Sequence, residues 1–221
     1  MSAEGFAALA DRLEVVKFSA RETVYEADSI ATDVYFPIDC VISSATTMRS
    51  GPAVQTLTIG HEGMCGVHTA LGSSDVLGRW FCQIPGSAYR VDTATFLSIY
   101  AEDERLRTIL SRYLAALIDI LTQSVACNRL HLVNERCARW LLTTHDRVKS
   151  SDFPLTHEAL ATLLGVRRAG VSIAAAGLQA AGFIKYKRGK FHVADVAGLE
   201  TAACECYAVD RRIYDRWAVG I

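Results

Sequence analysis

Between residues 14 and 100 apolar and polar positions alternate in short runs: Thr23-Val24-Tyr25, Val34-Tyr35-Phe36, Val54–Ile59, Arg79–Ile84 and Ala88–Val91. A period of two sends successive side chains to opposite faces of a strand. Turn-forming clusters separate the runs at Ser50-Gly51-Pro52, Gly60–Gly63, Leu71–Asp75 and Pro85-Gly86. Many short strands at such spacing predict an antiparallel roll or barrel.

From about 103 to 129 the period lengthens to that of a helix, with no Gly or Pro to interrupt it. Leu106, Leu110, Tyr113, Leu117, Ile120, Ser124 and Cys127 follow a 4-3-4-3-4-3 spacing, a coiled-coil-like seam. A second stripe, Leu114, Ile118, Leu121 and Val125, lies beside it. A helix with two apolar stripes must bury both, one against the strand domain and the other against a partner subunit, unless both face the same core. The heptad-like seam of Leu106, Leu110, Tyr113, Leu117, Ile120 and Ser124 is the expected dimerisation face. A further helix over about 133–148 gathers Val133, Cys137, Trp140, Leu141 and Thr144 on one side.

After the polar stretch Lys149–Asp152 come three short helical patterns, a hairpin-like segment over Phe183–Val193, and a polar helix expected from about 196 to 217. The expected architecture is α+β. It comprises a strand-rich domain over 1–102, a dimerisation helix over 103–129 and a mostly helical domain over 130–221.

Charge sharpens the third zone. The net charge of −1 conceals an uneven distribution. Residues 1–100 carry six Lys/Arg against eleven Asp/Glu, whereas residues 153–193 carry six Lys/Arg against Glu158 alone. A basic segment in an acidic chain points to a polyanion partner for that segment.

The sequence LTHEALATLLGVRRAGVSIAAAGLQAAGFIKYKRGKFHV gives that partner a geometry. Thr156 is placed to cap a first helix, with His157 beside it and Ala159 at the third helical position. Ala161, Gly165 and Val171 supply what a helix-turn-helix needs: a small residue at closest approach, a glycine free to take positive φ, and a β-branched residue pinning the second helix. That second helix, about 167–180, opens with Arg167 and Arg168 and carries Ser172 one turn on. N-terminal residues of such a helix enter the major groove, where Arg can bond guanine in two places. Phe183–Tyr186 and Lys190–Val193, turning at Arg188-Gly189, form a wing whose Lys185, Lys187, Arg188 and Lys190 suit phosphate contact.

This stretch resembles the DNA-binding domain of the Crp–Fnr family, named for the cyclic-AMP receptor protein and the fumarate-nitrate regulator. The resemblance extends over the strand-rich roll, the long helix and the winged helix-turn-helix. It implies a double-stranded β-roll of the cyclic-nucleotide-binding kind, a homodimer on a palindromic double-stranded DNA site, and RNA polymerase as a further partner. Arg168 matches the first Arg of the family's recognition helix, but Ala169 stands where Glu is common and Ile173 where a second Arg is common. The candidate effector pocket is Gly66, Val67 and Arg79. Gly66 fits the family's glycine, Val67 replaces the carboxylate that accepts the ribose hydroxyl, and Arg79 is the nearby base. A nucleotide hydroxyl left unpaired there would cost about 1–3 kcal/mol, so cyclic AMP is not the expected effector.

Other chemistry is not expected. Seven cysteines, Cys40, Cys65, Cys82, Cys127, Cys137, Cys204 and Cys206, form no pair of CxxC motifs. His61, Cys65 and His68 read as a loop around a buried thiol. Cys204 and Cys206, two apart on one continuous helix, would point about 200° away from each other. No cofactor and no metal are expected. The chain lacks a phosphate-binding glycine loop, a GxSxG elbow and an HExxH motif, which argues against an enzyme. With no secretory signal and no uninterrupted apolar run of about 18 residues, a cytoplasmic location is expected. The competing reading is a ligand-sensing module acting mainly through protein contacts.

Overall fold

The computed structural model describes residues 1–49, 51 and 53–218. Ser50 and Pro52 of the expected Ser50-Gly51-Pro52 turn lie outside the described residues. The chain divides into two compact units. One comprises residues 1–44, 58–119 and those from 213 onward, the other residues 45–57 and 120–212.

A short helix, α1 (Ala3–Ala10), precedes β1 (Glu14–Phe18), β2 (Thr23–Tyr25), β3 (Asp33–Pro37), β4 (Val41–Thr47), β5 (Ala53–Ile59), β6 (Arg79–Ile84) and β7 (Gly86–Asp92), all in the first unit except residues 45–47 of β4 and 53–57 of β5. One sheet runs β1-β7-β3 and the other β2-β6-β4-β5. In the first sheet β7 pairs antiparallel with both neighbours, in the registers Val15↔Tyr89 and Val34↔Val91. The alternation places Val34, Ile42, Cys82, Ile84, Ala88 and Val91 in the core. These sheets are the predicted roll. α1 was not foreseen from the pattern. Ser2 caps it, its Oγ accepting from the Gly5 amide at 2.9 Å. The amide and hydroxyl of Ser2 in turn donate to Asp103 Oδ2 at 2.9 and 2.7 Å.

After α2 (Thr93–Glu102) runs α3 (Glu104–Leu130), started by Asp103 Oδ1, which accepts from the Leu106 amide at 2.8 Å. Here the structure corrects the sequence reading. The seam expected to dimerise is the one turned into the chain's own interior: Leu106, Leu110, Tyr113, Leu117 and Ile120 are 2 to 7 % exposed. Ser124 is half-buried and accepts from Arg139 Nη2 at 3.2 Å. The neighbouring stripe is the open one, with Ile118 64 % and Val125 72 % exposed. Spacing could not choose between the stripes, but Tyr113 could. Its hydroxyl needs a partner when buried, and it accepts from the Met64 amide at 3.1 Å. By length and hydropathy α3 suffices to cross a membrane, yet its seam is already covered by protein.

The second unit is arranged around α4 (Val133–Val148), whose Cys137, Ala138, Leu141, Leu142 and Thr144 are buried. Two guanidinium groups on this helix face inward. Arg136 Nη2 donates to the Leu164 carbonyl and, at 2.8 Å, to Asn128 Oδ1. Arg139 Nη2 lies 2.7 Å from the buried Asp210 carboxylate.

The polar helix expected over 196–217 is two helices, α7 (Val196–Ala202) and α8 (Cys206–Ala218). Ala203 is extended, at φ −81 and ψ 154. The sequence ACECY holds no Gly or Pro to signal the break. Burial explains it, because a continuous helix would send Cys204 and Cys206 to opposite sides, whereas both are buried here, at 6 and 0 % exposure.

The Arg139–Asp210 pair supports a first prediction. Removing one partner of a buried ion pair strands the other and costs about 3–5 kcal/mol. Asp210→Ala is therefore expected to lower the urea midpoint by that equivalent, and a change under about 1 kcal/mol would show the pair to be solvated.

Candidate nucleic-acid interface

Three elements build the interface. α5 (His157–Leu164) begins at Thr156, whose Oγ1 accepts from the Ala159 amide at 3.1 Å, and ends at Gly165 with φ +64. The Val166 amide reaches back to the Ala161 carbonyl at 3.0 Å. This left-handed cap turns the chain into α6 (Arg168–Ala180), and the two helix axes bend by 111°. A helix-turn-helix needs such an angle, and Leu160, Ala161, Leu164, Val171, Ala175 and Leu178 fill its corner.

The faces of α6 divide the labour. Val171, Ala174, Ala175 and Leu178 are buried, and Ala169, Ile173, Ala176 and Ala180 form the exposed ridge opposite. Arg168 and Ser172 lie on the flank toward α5. Arg167 is the N-cap residue and makes no capping side-chain bond, and Arg168 opens the helix. Two cations at the positive end of a helix dipole are each unfavourable by about 0.3–1 kcal/mol. The Arg168 side chain is 70 % exposed, with only a loose contact to Glu158 at 3.9 Å.

The wing is a three-stranded sheet, β8 (Asp152–Pro154), β10 (Lys190–Val193) and β9 (Ile184–Lys187), in the order β8-β10-β9. Ile184, Phe191 and Val193 are buried, while Lys185, Lys187, Arg188 and Lys190 are exposed. Lys190 stands directly opposite Lys187, and His192 opposite Lys185. Like charges across a ladder oppose sheet pairing. Arg188 and Gly189 take φ +49 and +77 in the two-residue turn, as a primed hairpin turn requires. An arginine in that conformation is disfavoured by about 1–2 kcal/mol. The chain thus carries its cations in positions that weaken the free protein.

The structure brings these expected residues onto one domain but gives some of them other work. Thr156 is engaged as a cap. His157 Nδ1 lies 3.0 Å from Ser172 Oγ, and its ring stacks on Tyr186 at 4.0 Å. His157 and Ser172 therefore join α5, α6 and the wing. His192, not singled out from the sequence, lies on the basic face with Nδ1 3.1 Å from Asp152 Oδ1. The exposed Ile173 ridge was likewise foreseen only as a missing arginine.

The three residues of the candidate effector pocket have different surroundings. Val67 is buried. A Cβ on Gly66 would meet Tyr25 Oη at 2.8 Å. Arg79 points elsewhere, its Nη2 donating to Thr23 Oγ1 at 2.7 Å and to the Arg21 carbonyl at 3.3 Å on the exposed side. Tyr113 closes the loop beside them, its hydroxyl 2.1 Å from where a Gly63 Cβ would stand.

Burial, then the charge of Arg168, lower the pKa of His157 below 6.5. The fold thus favours the neutral ring. The stability this ring contributes is present above 6.5 and lost as pH falls through the lower folded value. The ring resonances are expected to titrate below 6.5, with wing packing loosening over the same range, and a midpoint at or above 6.5 would contradict the neutral assignment.

Comparison with known proteins agrees with this geometry. Residues 135–202 match the Crp-like helix-turn-helix domain. FixK2 from Bradyrhizobium japonicum has a TM-score of 0.74 at 15 % identity, covering 87 % of this chain and 98 % of its own. A CRP-family transcriptional regulator from Thermus thermophilus gives 0.71 at 20 %, covering 85 % and 96 %. The c-di-GMP responsive global regulator CLP from Xanthomonas campestris gives 0.68 at 14 %, covering 87 % and 99 %. No curated protein matches the chain by sequence. Residues 135–202 thus form a Crp-like helix-turn-helix domain, and the chain shares the fold of these solved regulators.

Proposed function

We propose that the chain is a homodimeric, sequence-specific transcription regulator that acts in the cytoplasm on a palindromic site and engages RNA polymerase there, without enzymatic activity. The observation that carries the proposal is the set of exposed cations held at the first turn of α6 and on the wing despite their cost. A polyanion turns that cost into affinity. Arg168 reads a guanine edge, and Ala169 and Ile173 offer apolar contact to thymine methyl groups. Lys185, Lys187, Arg188 and Lys190 hold phosphates. Arg167, beside the helix rather than in it, is a further phosphate contact.

The partner copy takes the exposed stripe of α3. Leu114, Ile118, Leu121 and Val125 repeat at 4-3-4 spacing, which suits self-pairing of two copies of the helix. The two recognition helices would then address half-sites about 34 Å apart. The effector is not cyclic AMP. Val67 offers no carboxylate to a ribose, and Tyr25 and Tyr113 crowd the loop where the family's ligand would enter.

Selection of bound sequences from a random DNA pool gives the preferred site. On it, Arg168→Ala is expected to cost about 1–3 kcal/mol and relax one base pair per half-site. Arg168→Lys restores affinity more than specificity. Lys187→Ala should weaken binding to all sequences alike and reduce the salt slope by roughly one per phosphate per subunit. Binding without sequence preference would instead favour a module that regulates through protein contacts.

Sedimentation tests the dimer. Ile118→Glu combined with Val125→Glu is expected to give folded monomers, because both side chains are exposed in the single chain. Leu117→Glu is expected to unfold it, because that side chain is buried. A double variant that remains dimeric would place the interface elsewhere.

A further inference from the structure

Three buried thiols and one imidazole meet inside the second unit, at the break between α7 and α8. Cys127 and His131 lie one turn apart at the end of α3, joined by a bond from the His131 amide to the Cys127 carbonyl at 3.1 Å. Cys204 and Cys206 come from the break itself. Cys127, Cys204 and Cys206 are 1, 6 and 0 % exposed. The four potential ligand atoms all lie within 4.8 Å of one another.

From this arrangement we infer a closed, four-coordinate zinc site formed by Cys127, His131, Cys204 and Cys206. Zinc bonds of about 2.3 Å to sulfur and 2.0–2.1 Å to nitrogen set tetrahedral edges of about 3.8 Å between sulfurs and about 3.5 Å from sulfur to nitrogen. Cys127 Sγ stands 3.6 Å from Cys204 Sγ, and Cys206 Sγ stands 3.5 Å from His131 Nδ1. The surroundings are those of a ligand shell. His131 Nε2 is 3.1 Å from Glu205 Oε2, so the carboxylate orients the ring and leaves Nδ1 for the metal. Gln123 Nε2 donates to Cys206 Sγ at 3.0 Å. Three thiolates on a divalent ion leave one net negative charge, which together with the Asp210 carboxylate is balanced by the two guanidinium groups of Arg136 and Arg139.

Other occupants fit less well. A disulfide would use two sulfurs, at about 2.05 Å, and leave a third thiol and the oriented imidazole without a role. A four-iron cluster attaches each ligand to a different metal atom, which holds the donors further apart than they lie here. Three soft thiolates with an imidazole partner suit zinc better than calcium or magnesium, which take oxygen. With all four positions supplied by protein, no site is left for substrate. The ion would staple the last turn of α3 to α7 and α8. Binding releases the three thiol protons to solvent and involves no electron transfer.

The full chain, purified under reducing conditions without chelator, is expected to carry one zinc per chain by elemental analysis. Exchange for cobalt should give the intense visible bands and sulfur-to-metal charge transfer of a tetrahedral thiolate site. Cys204→Ala and His131→Ala should each lose most of the bound metal, whereas Cys137→Ala, outside the cluster, should keep it. Glu205→Gln leaves every ligand in place, so its folding is not in question. It should weaken zinc about 10–100-fold in competition with a chromophoric chelator. Metal-free protein that gives no cobalt bands, an iron–sulfur chromophore, a native Cys127–Cys204 disulfide, or zinc retained at full occupancy in both ligand variants would each overturn the assignment.

Discussion

Arg136 and Arg139 lie one turn apart on α4, and the second unit is organised by what these two guanidinium groups hold. Arg136 takes the carbonyl that ends α5, so the first helix of the DNA-binding motif is fixed by a charge-assisted bond. Arg139 takes Asp210 of α8 and Ser124 of α3. Burying a guanidinium is costly unless its charge is met by hydrogen bonds. Once α4 forms, its two arginines therefore dictate where α5, α8 and the end of α3 must come. Apolar packing around Leu141 and Leu142 drives the collapse without direction, and the guanidinium bonds supply the direction.

Much of the DNA-binding motif was legible because its determinants are local. Ala161, Gly165 and Val171 sit within one supersecondary unit, and the turn at Arg188-Gly189 lies between two short strands. Each needs only its immediate neighbours to explain it. The helix over 133–148 was legible for the same reason, its apolar residues repeating on one face. The choice of stripe on α3 was not, because two stripes of similar hydrophobicity differ only in what lies across from them. Only Tyr113, whose hydroxyl had to find a buried amide, broke the symmetry.

The cysteine cluster was hidden by sequence distance and by a boundary. The expected helix stopped at 129, two residues short of His131, so the one-turn relation between Cys127 and His131 never entered view. Cys204 and Cys206 were judged on a continuous helix, and the break that turns them to a common point has no Gly or Pro to mark it. The roll contained a similar trap. Arg79 looked like the base of an anion site by position, but its Nε and Nη2 donate to Thr23 and the Arg21 carbonyl.

Glu158 is the lone acid between residues 153 and 193, and it stands beside Arg168 across the α5–α6 corner. At 3.9 Å, with both side chains largely exposed, such a contact holds about 0–1 kcal/mol. That is too little to obstruct a bidentate bond to guanine, yet comparable to what one loosely held phosphate offers. Glu158 is thus a partner that Arg168 can leave at little cost.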